Sequence, residues 1–170
     1  MTRRFPWLKY IAGIALFALW HQLYDLFPST WAAVLAEGDQ ESIFAHMKML
    51  FYPYLLLSIA DYVLLRLKGV VPASFVYARL LILVSAPWIT MAIWYVPDAL
   101  GIHMEGPVEL IYSILISFVG VYLAIRMEEP LEATHYRLAL KLLLLIAFLA
   151  ALITYTGFAF HLPHYGFFAI

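Results

Sequence analysis

Five apolar stretches of nearly transmembrane length dominate the sequence and leave little room for a water-soluble fold. They cover approximately residues 10–27, 43–67, 74–96, 108–125 and 136–156. Each is close to the roughly 20 residues that a helix needs to cross the hydrocarbon core of a bilayer. Backbone polar groups inside lipid must be hydrogen-bonded internally, which a helix achieves within one segment. The sequence therefore predicts an all-α integral membrane protein, a single bundle of about five transmembrane helices over residues 1–170.

The composition indicates that lipid is the main solvent of the chain. Of its 170 residues, 65% are hydrophobic and 12% are charged, whereas soluble domains carry about 25% charged residues. A net charge of -1 gives no electrostatic basis for binding nucleic acid. The chain has no cysteine, which excludes disulfides, thiolate catalysis and Cys-ligated metals. The expected partners are the lipid bilayer and either a second copy of the chain or another membrane protein.

The N-terminal segment has two interpretations. Residues 3–9 carry two arginines and a lysine ahead of the apolar run 10–20, and residues 34–36 resemble a signal-peptide cleavage site. That site lies well beyond the apolar core, however, and polar residues from His21 onward extend the helix. We therefore interpret the segment as an uncleaved first span, with a signal peptide as the alternative.

Basic residues indicate the orientation of the bundle. They form three clusters, namely Arg3, Arg4 and Lys9; Arg66, Lys68 and Arg79; and Arg126, Arg137 and Lys141. Because successive spans alternate in direction, all three clusters lie on one side of the membrane. The positive-inside rule assigns that side to the cytoplasm. We predict a multi-pass protein of the cell membrane, in a prokaryotic plasma membrane, with a cytoplasmic N-terminus and an external C-terminus.

The start of the second span resembles a known family. Residues 41–53, ESIFAHMKMLFYP, resemble the signature ESVWEHLKLLFWP of DUF6512, a family of small bacterial and archaeal membrane proteins of unknown function. His21-Gln22-Leu23-Tyr24-Asp25 is similar to the family's His-Phe-Leu-Tyr-Glu, and Asp61-Tyr62 stands where the family tends to have Glu-Tyr. The segment around Pro163-His164 is similar to the family's closing Pro-Pro-His segment.

The resemblance implies a polytopic membrane fold and a set of polar positions, but no activity. The chain departs from the signature at Gln40, which replaces an asparagine, and at Ala45, which replaces a glutamate. If that glutamate is a ligand or a proton carrier in the family, the substitution at Ala45 implies loss of the family's activity.

Ionisable residues at the predicted outer ends of the first two spans form a candidate His/carboxylate site. Residues three and four apart share one helix face, as His21 and Asp25 do. The candidates are His21, Asp25, Glu41, His46, His161 and His164, with His21, His46 and His164 as the metal ligands. Imidazole and carboxylate suit a divalent transition metal such as Zn, Fe, Ni or Cu, and haem ligated by histidines is an alternative. The structural interpretations are water-facing helix ends, a capped helix start with Lys48 directed outward, and a solvated tail.

Asp61 is a carboxylate at membrane depth. If both residues lie in one helix, Asp61 is about 22 Å from His46 along the helix axis and within about 60° of the same face. An ionised side chain is costly there, which makes Asp61 a functional candidate. Its predicted partner is Arg79, at matching depth in the next span, with Arg66 as the alternative. The pair is interpreted as either a fixed ion pair or part of a proton relay.

Three functions of different classes follow from these patterns. The first is a site for a metal or small ligand, with hydrolysis of a lipid-like substrate as one reaction. The second is a proton-coupled transporter or channel component that uses the face from His46 to Asp61. The third is a non-catalytic membrane subunit that docks a partner. The sequence contains no nucleophile elbow, phosphate loop or catalytic triad, and it leaves open whether the protein is an enzyme.

Overall fold

The computed structural model describes residues 6–28, 30–36 and 43–161, and within these ranges helices and turns account for the chain, without a strand. The helices are α1 (Trp7–His21), α2 (Leu23–Leu26), α3 (Trp31–Ala36), α4 (Ile43–Leu67), α5 (Phe75–Trp94), α6 (Val96–Ala99), α7 (Pro107–Glu132) and α8 (Leu138–Phe160). By length and composition, α4, α5, α7 and α8 can cross a membrane, and α1 is a shorter apolar helix. The predicted all-α membrane bundle of about five helices is confirmed.

Helix α5 lies at the centre of the bundle, where it packs against α4, α7 and α8. The core between these helices is formed by fully buried side chains such as Phe51 of α4 and Ile82 of α5. Helix α1 packs on the outer side of α4 and α7, and α3 lies against α4 and α8. Most large side chains on the outer faces are apolar and exposed, as expected for helices that contact lipid.

Two glycines bring neighbouring helices close together. A Cβ atom at Gly120 of α7 would lie 2.7 Å from the Oγ1 atom of Thr90 of α5, and one at Gly13 of α1 would lie 3.0 Å from the Cγ1 atom of Val121 of α7. Membrane helices use such small residues because van der Waals packing replaces the hydrophobic effect inside lipid. Gly120 thus fixes the α5–α7 contact and Gly13 fixes the α1–α7 contact.

Helix α7 continues through a segment that the sequence predicts to be a charged turn. The predicted fourth span ends at Ile125, and Glu128-Glu129-Pro130 has the composition of a charged turn. This prediction is wrong, because α7 extends to Glu132. The side chain of Glu128 is buried, and its ion pairs within the bundle stabilise the additional helical turns. Pro130 lies in the last turn of α7, so the bend that a proline causes affects only the end of the helix.

The bundle has two chemically different ends. The start of α1, the end of α4, the start of α5 and the end of α7 meet around Lys9 and Arg79, and Lys141 at the start of α8 lies 4.9 Å from the ring centroid of Tyr77. We call this the basic end. The opposite end, where His21 and His46 meet, is called the histidine end. Which end faces the cytoplasm stays a prediction.

Candidate functional site

Within the part of the chain that the structure describes, five ionisable side chains from four helices meet inside the basic end, and we call this group the ion cluster. Its members are Lys9 of α1, Asp61 of α4, Arg79 of α5, and Glu128 and Glu132 of α7. Their side chains keep between 5% (Arg79) and 24% (Asp61) of their full exposure. Three carboxylates therefore face two cations in a largely desolvated site.

Lys9 connects α1 to two other helices. Its ammonium group donates hydrogen bonds to both carboxylate oxygens of Glu128, each at 2.6 Å, and also to the Oδ2 atom of Asp61. Lys9 lies one helical turn before Gly13, where α1 comes closest to α7. The position of α1 therefore depends on a close backbone approach and on an adjacent charge contact.

Arg79 joins the three carboxylates. Its Nη2 atom lies 2.7 Å from Oε1 of Glu132, 3.2 Å from Oε2 of Glu128 and 3.6 Å from Oδ2 of Asp61. The guanidinium carbon lies 4.3 Å from the ring centroid of Phe75. In this position the positive charge is attracted electrostatically to the face of the aromatic ring. Its Nε and Nη1 atoms are buried without a hydrogen-bond partner among the described residues. A delocalised, weakly hydrated guanidinium suits such a site better than an ammonium group.

Tyr54 links the ion cluster to an apolar cavity. Its hydroxyl donates a hydrogen bond of 2.9 Å to Oε1 of Glu128, and Ser58 donates to the backbone carbonyl of Tyr54. The ring borders a narrow cavity between α1, α4 and α7, with a volume of about 10 Å³. The cavity is lined by Gly13, Phe17, Leu50, Pro53, Tyr54, Leu57 and Val121. Glu128 thus receives hydrogen bonds from the cavity side as well as from Lys9.

The histidine end brings together two of the six predicted ligands. The ring centroids of His21 and His46 lie 6.4 Å apart. Asp25 is exposed on α2, and His161 is exposed directly after α8. Glu41 and His164 lie outside the described residues. Among the residues that the structure describes, no group of three His, Asp or Glu side chains is arranged to hold a metal ion.

Two residues near His46 are buried in the bundle. Lys48 is buried, with its ammonium 5.6 Å from the ring centroid of Phe44, so the interpretation that directed it outward is wrong. Ala45 is also buried. A glutamate at position 45, as in the DUF6512 signature, would therefore face the bundle interior.

Part of the ion cluster was predicted from the sequence, and the rest was not. Asp61 and its predicted partner Arg79 lie 3.6 Å apart, whereas the alternative partner, Arg66, is exposed at the end of α4. Lys9, Glu128 and Glu132 were not predicted as members. A usable signal exists on α7, where a four-residue spacing places the small residues and the carboxylates on one face: Gly120, Ala124, Glu128 and Glu132.

Comparisons with known proteins provide no assignment. No protein-family model matches the chain, and no curated protein or solved structure matches it significantly. The resemblance to DUF6512 therefore stays a prediction. Function has to be argued from the geometry of the ion cluster and of the histidine pair.

Proposed function

We propose that the protein is a proton-coupled membrane carrier or channel component whose proton-binding group is the ion cluster. The observation that carries this proposal is the imbalance of three carboxylates and two cations among the described residues of a largely buried site. Ionisable groups inside membrane bundles are costly, and they commonly serve as proton relays. In a purely structural tie, one of the three described carboxylates would have no cation of its own to balance its charge. The third carboxylate is the feature that such a role does not explain.

The charge balance of the ion cluster supports binding of one proton. With all five groups ionised, the cluster carries one net negative charge, which a site of low dielectric constant disfavours. One proton on the carboxylate of Asp61 or Glu128 converts that group to a neutral acid and makes the cluster neutral. Release of this proton restores the carboxylate. Asp61 is the most exposed of the five side chains and is the proposed point of proton entry from the basic end.

The interior of the bundle favours a carrier over an open channel. Between His46 and Asp61 on α4, the buried side chains include Leu50, Phe51 and Tyr54, and the adjoining cavity is lined mainly by apolar residues. A continuous proton path would need water or polar side chains along this route. The proposed cycle therefore requires a change in helix packing before a proton reaches the histidine end.

Infrared difference spectroscopy of the full chain in nanodiscs tests proton binding directly. Acidification should produce a carboxylic acid C=O band, and Asp61→Asn or Glu128→Gln should remove or shift it. The matched control is Asp98→Asn, because Asp98 lies at the opposite end and is exposed. A band that is absent from the unmodified protein, or that is lost only in the control variant, would contradict the proposal. In liposomes with a pH-sensitive dye, Asp61→Asn should abolish any proton flux that the protein supports.

The histidine pair favours a second candidate function, a metal or small-ligand site. Two imidazoles with ring centroids 6.4 Å apart supply two ligands of the kind that Zn and Cu accept. Metal analysis of purified protein after dialysis against zinc tests this function. A stoichiometric ion that is lost in His46→Ala but kept in His103→Ala would support it, since His103 is exposed in the loop before α7. Metal-free protein would reject it. Partner docking and hydrolysis stay predictions.

A further inference from the structure

Helix α1 lies at the edge of the bundle, where it packs against α4 and α7. Its outer face is exposed, with Leu8 at 83% and Trp7 at 63% of full exposure, and Gly13 is its buried residue. Tyr10, Ile14, Phe17 and Trp20 are partly buried against the core. The charged contact of α1 with α4 and α7 is made by Lys9. Loss of the Lys9 contact would let this edge helix tilt away from α4 and α7, while α4, α5, α7 and α8 keep the contacts that they make with one another.

The cavity described above lies directly beneath α1. Gly13 and Phe17 form its α1 wall, and Leu57 of α4 and Val121 of α7 lie opposite. A Cβ atom at position 13 would lie 3.5 Å from Leu57 and 3.0 Å from Val121. Outward movement of α1 would therefore remove one wall and open the cavity toward the surrounding bilayer.

We propose that α1 is a gate over this cavity and that Lys9 is its latch, which opens when the ion cluster takes up protons. The proposal rests on the proposed function, because it uses the cluster as a proton-binding site. Lys9 contacts Asp61 of α4 and Glu128 of α7. The other ionisable groups lie around these two carboxylates: Tyr54 of α4 at Glu128, Arg79 of α5 at both, and Glu132 of α7 at Arg79. With Asp61 and Glu128 ionised, Lys9 is held by two carboxylates.

Protonation of both carboxylates, which takes one proton beyond the one that makes the cluster neutral, reverses the electrostatic balance around Lys9. The remaining carboxylate, Glu132, pairs with Arg79, so the ammonium of Lys9 would then face a cationic guanidinium without an anionic partner of its own. Lys9 is the third residue of α1, and a lysine near a helix end can extend its ammonium group to the membrane surface. The start of α1 therefore moves outward as the pH falls, and it returns as the pH rises.

A cysteine pair measures the closed position of α1 without background, since the chain has no cysteine of its own. In the variant Gly13→Cys/Val121→Cys, the new sulfur at 121 can occupy the place of Cγ1, which is 3.0 Å from the Cβ position at 13. A disulfide places the Cβ of one residue about 3 Å from the sulfur of the other. Copper phenanthroline, as oxidant, should therefore form the bond rapidly when α1 is closed.

The crosslinking rate is then measured in nanodiscs for the cysteine pair alone and for the cysteine pair combined with each of three further sets of substitutions. Lys9→Met and Asp61→Asn/Glu128→Gln should each slow bond formation by about fivefold or more, because they shift the population toward the open position. Lys9→Arg, the matched control, keeps the charge and should leave the rate nearly unchanged. Equal rates in all variants would overturn the proposal. So would a slower rate in Lys9→Met alone, because neutral carboxylates would then fail to open the gate.

A second readout uses one cysteine and the native cluster. Leu57→Cys places a thiol under α1, and its reaction with a membrane-permeant maleimide should accelerate about fivefold between about pH 8 and about pH 5, after correction for the thiolate fraction. A corrected rate that does not change overturns the gate even where a charge variant fails to fold. Unchanged rates together with a carboxylic acid band would remove the gate and leave the proposed function. Changed rates without that band would overturn both, because α1 would then move without protonation of the ion cluster.

Discussion

Lys9 and Glu128 lie 119 positions apart in the sequence, and the ammonium group of Lys9 lies 2.6 Å from both carboxylate oxygens of Glu128. This contact joins the first helix of the bundle to the end of α7. The same ammonium group bonds to Asp61, so a single side chain ties α1 to two others. The contact connects the proposed proton-binding group with the helix that covers the cavity.

Removal of the Lys9 charge should destabilise the bundle. Lys9→Met leaves Asp61 and Glu128 with one cation between them, and we expect a loss of about 2 kcal/mol, below the ~3–5 kcal/mol of a fully buried pair because Asp61 is partly exposed. The free energy of unfolding in mixed detergent micelles measures this loss. The control is Lys68→Met, at an exposed position after α4. Equal losses in the two variants would contradict the role assigned to Lys9.

Arg79 should not tolerate replacement by lysine. One guanidinium group reaches Asp61, Glu128 and Glu132, whereas an ammonium group at the same position presents no planar fork. We expect Arg79→Lys to lower the free energy of unfolding by at least about 1.5 kcal/mol, as for the loss of one hydrogen bond to a charged group. The same change at the exposed Arg66 is the control and should be nearly neutral. An unaffected Arg79→Lys protein would mean that positive charge alone suffices.

The hydroxyl of Tyr54 should contribute through Glu128. Tyr54→Phe removes the donor of the 2.9 Å hydrogen bond to that carboxylate while keeping the ring that borders the cavity, and we expect a loss of about 1–2 kcal/mol. Tyr62→Phe, at an exposed position on the same helix, serves as the control. In the Glu128→Gln background the effect of Tyr54→Phe should shrink. An effect of equal size in both backgrounds would show that the two groups are not coupled.

Two glycine-to-alanine substitutions should change stability in opposite directions. In Gly120→Ala the new Cβ would lie 2.7 Å from Oγ1 of Thr90, and a β-branched side chain has few rotamers with which to move away. We expect a loss of about 1–3 kcal/mol, as for overpacking. At Gly157 of α8 nothing lies within 4 Å, so alanine should add about 0.5 kcal/mol through helix propensity. Thermal unfolding of both variants checks the sign.

The apolar spans were predictable because each is a local property of the sequence. Hydropathy over about 20 residues suffices to locate α4, α5, α7 and α8. The pairing of Asp61 with Arg79 was predictable from their matching depths in consecutive helices. A tight turn between two helices fixes how far one is shifted along the other. Both inferences need only neighbouring segments of the chain.

The rest of the ion cluster could not be predicted in the same way. Lys9 belongs to a basic N-terminal segment, where its charge is already explained by membrane orientation. Glu128 precedes Glu129 and Pro130, a combination that favours a turn. Only the packing of α7 against α1 and α5 gives the Glu128 carboxylate its cationic partners, and that packing depends on contacts between residues far apart in sequence. Burial at Glu128 outweighed the local preference for a turn.

The order in which the cluster residues are synthesised sets a requirement on biogenesis. Lys9, Asp61 and Arg79 emerge from the ribosome first and together carry one surplus positive charge, which Glu128 neutralises only when the fourth long apolar segment is nearly complete. The early segments must therefore wait beside the insertion machinery or near lipid headgroups until α7 arrives. A nascent chain stalled before residue 128 would expose an unpaired cation in the membrane and offer quality-control proteases a recognisable defect.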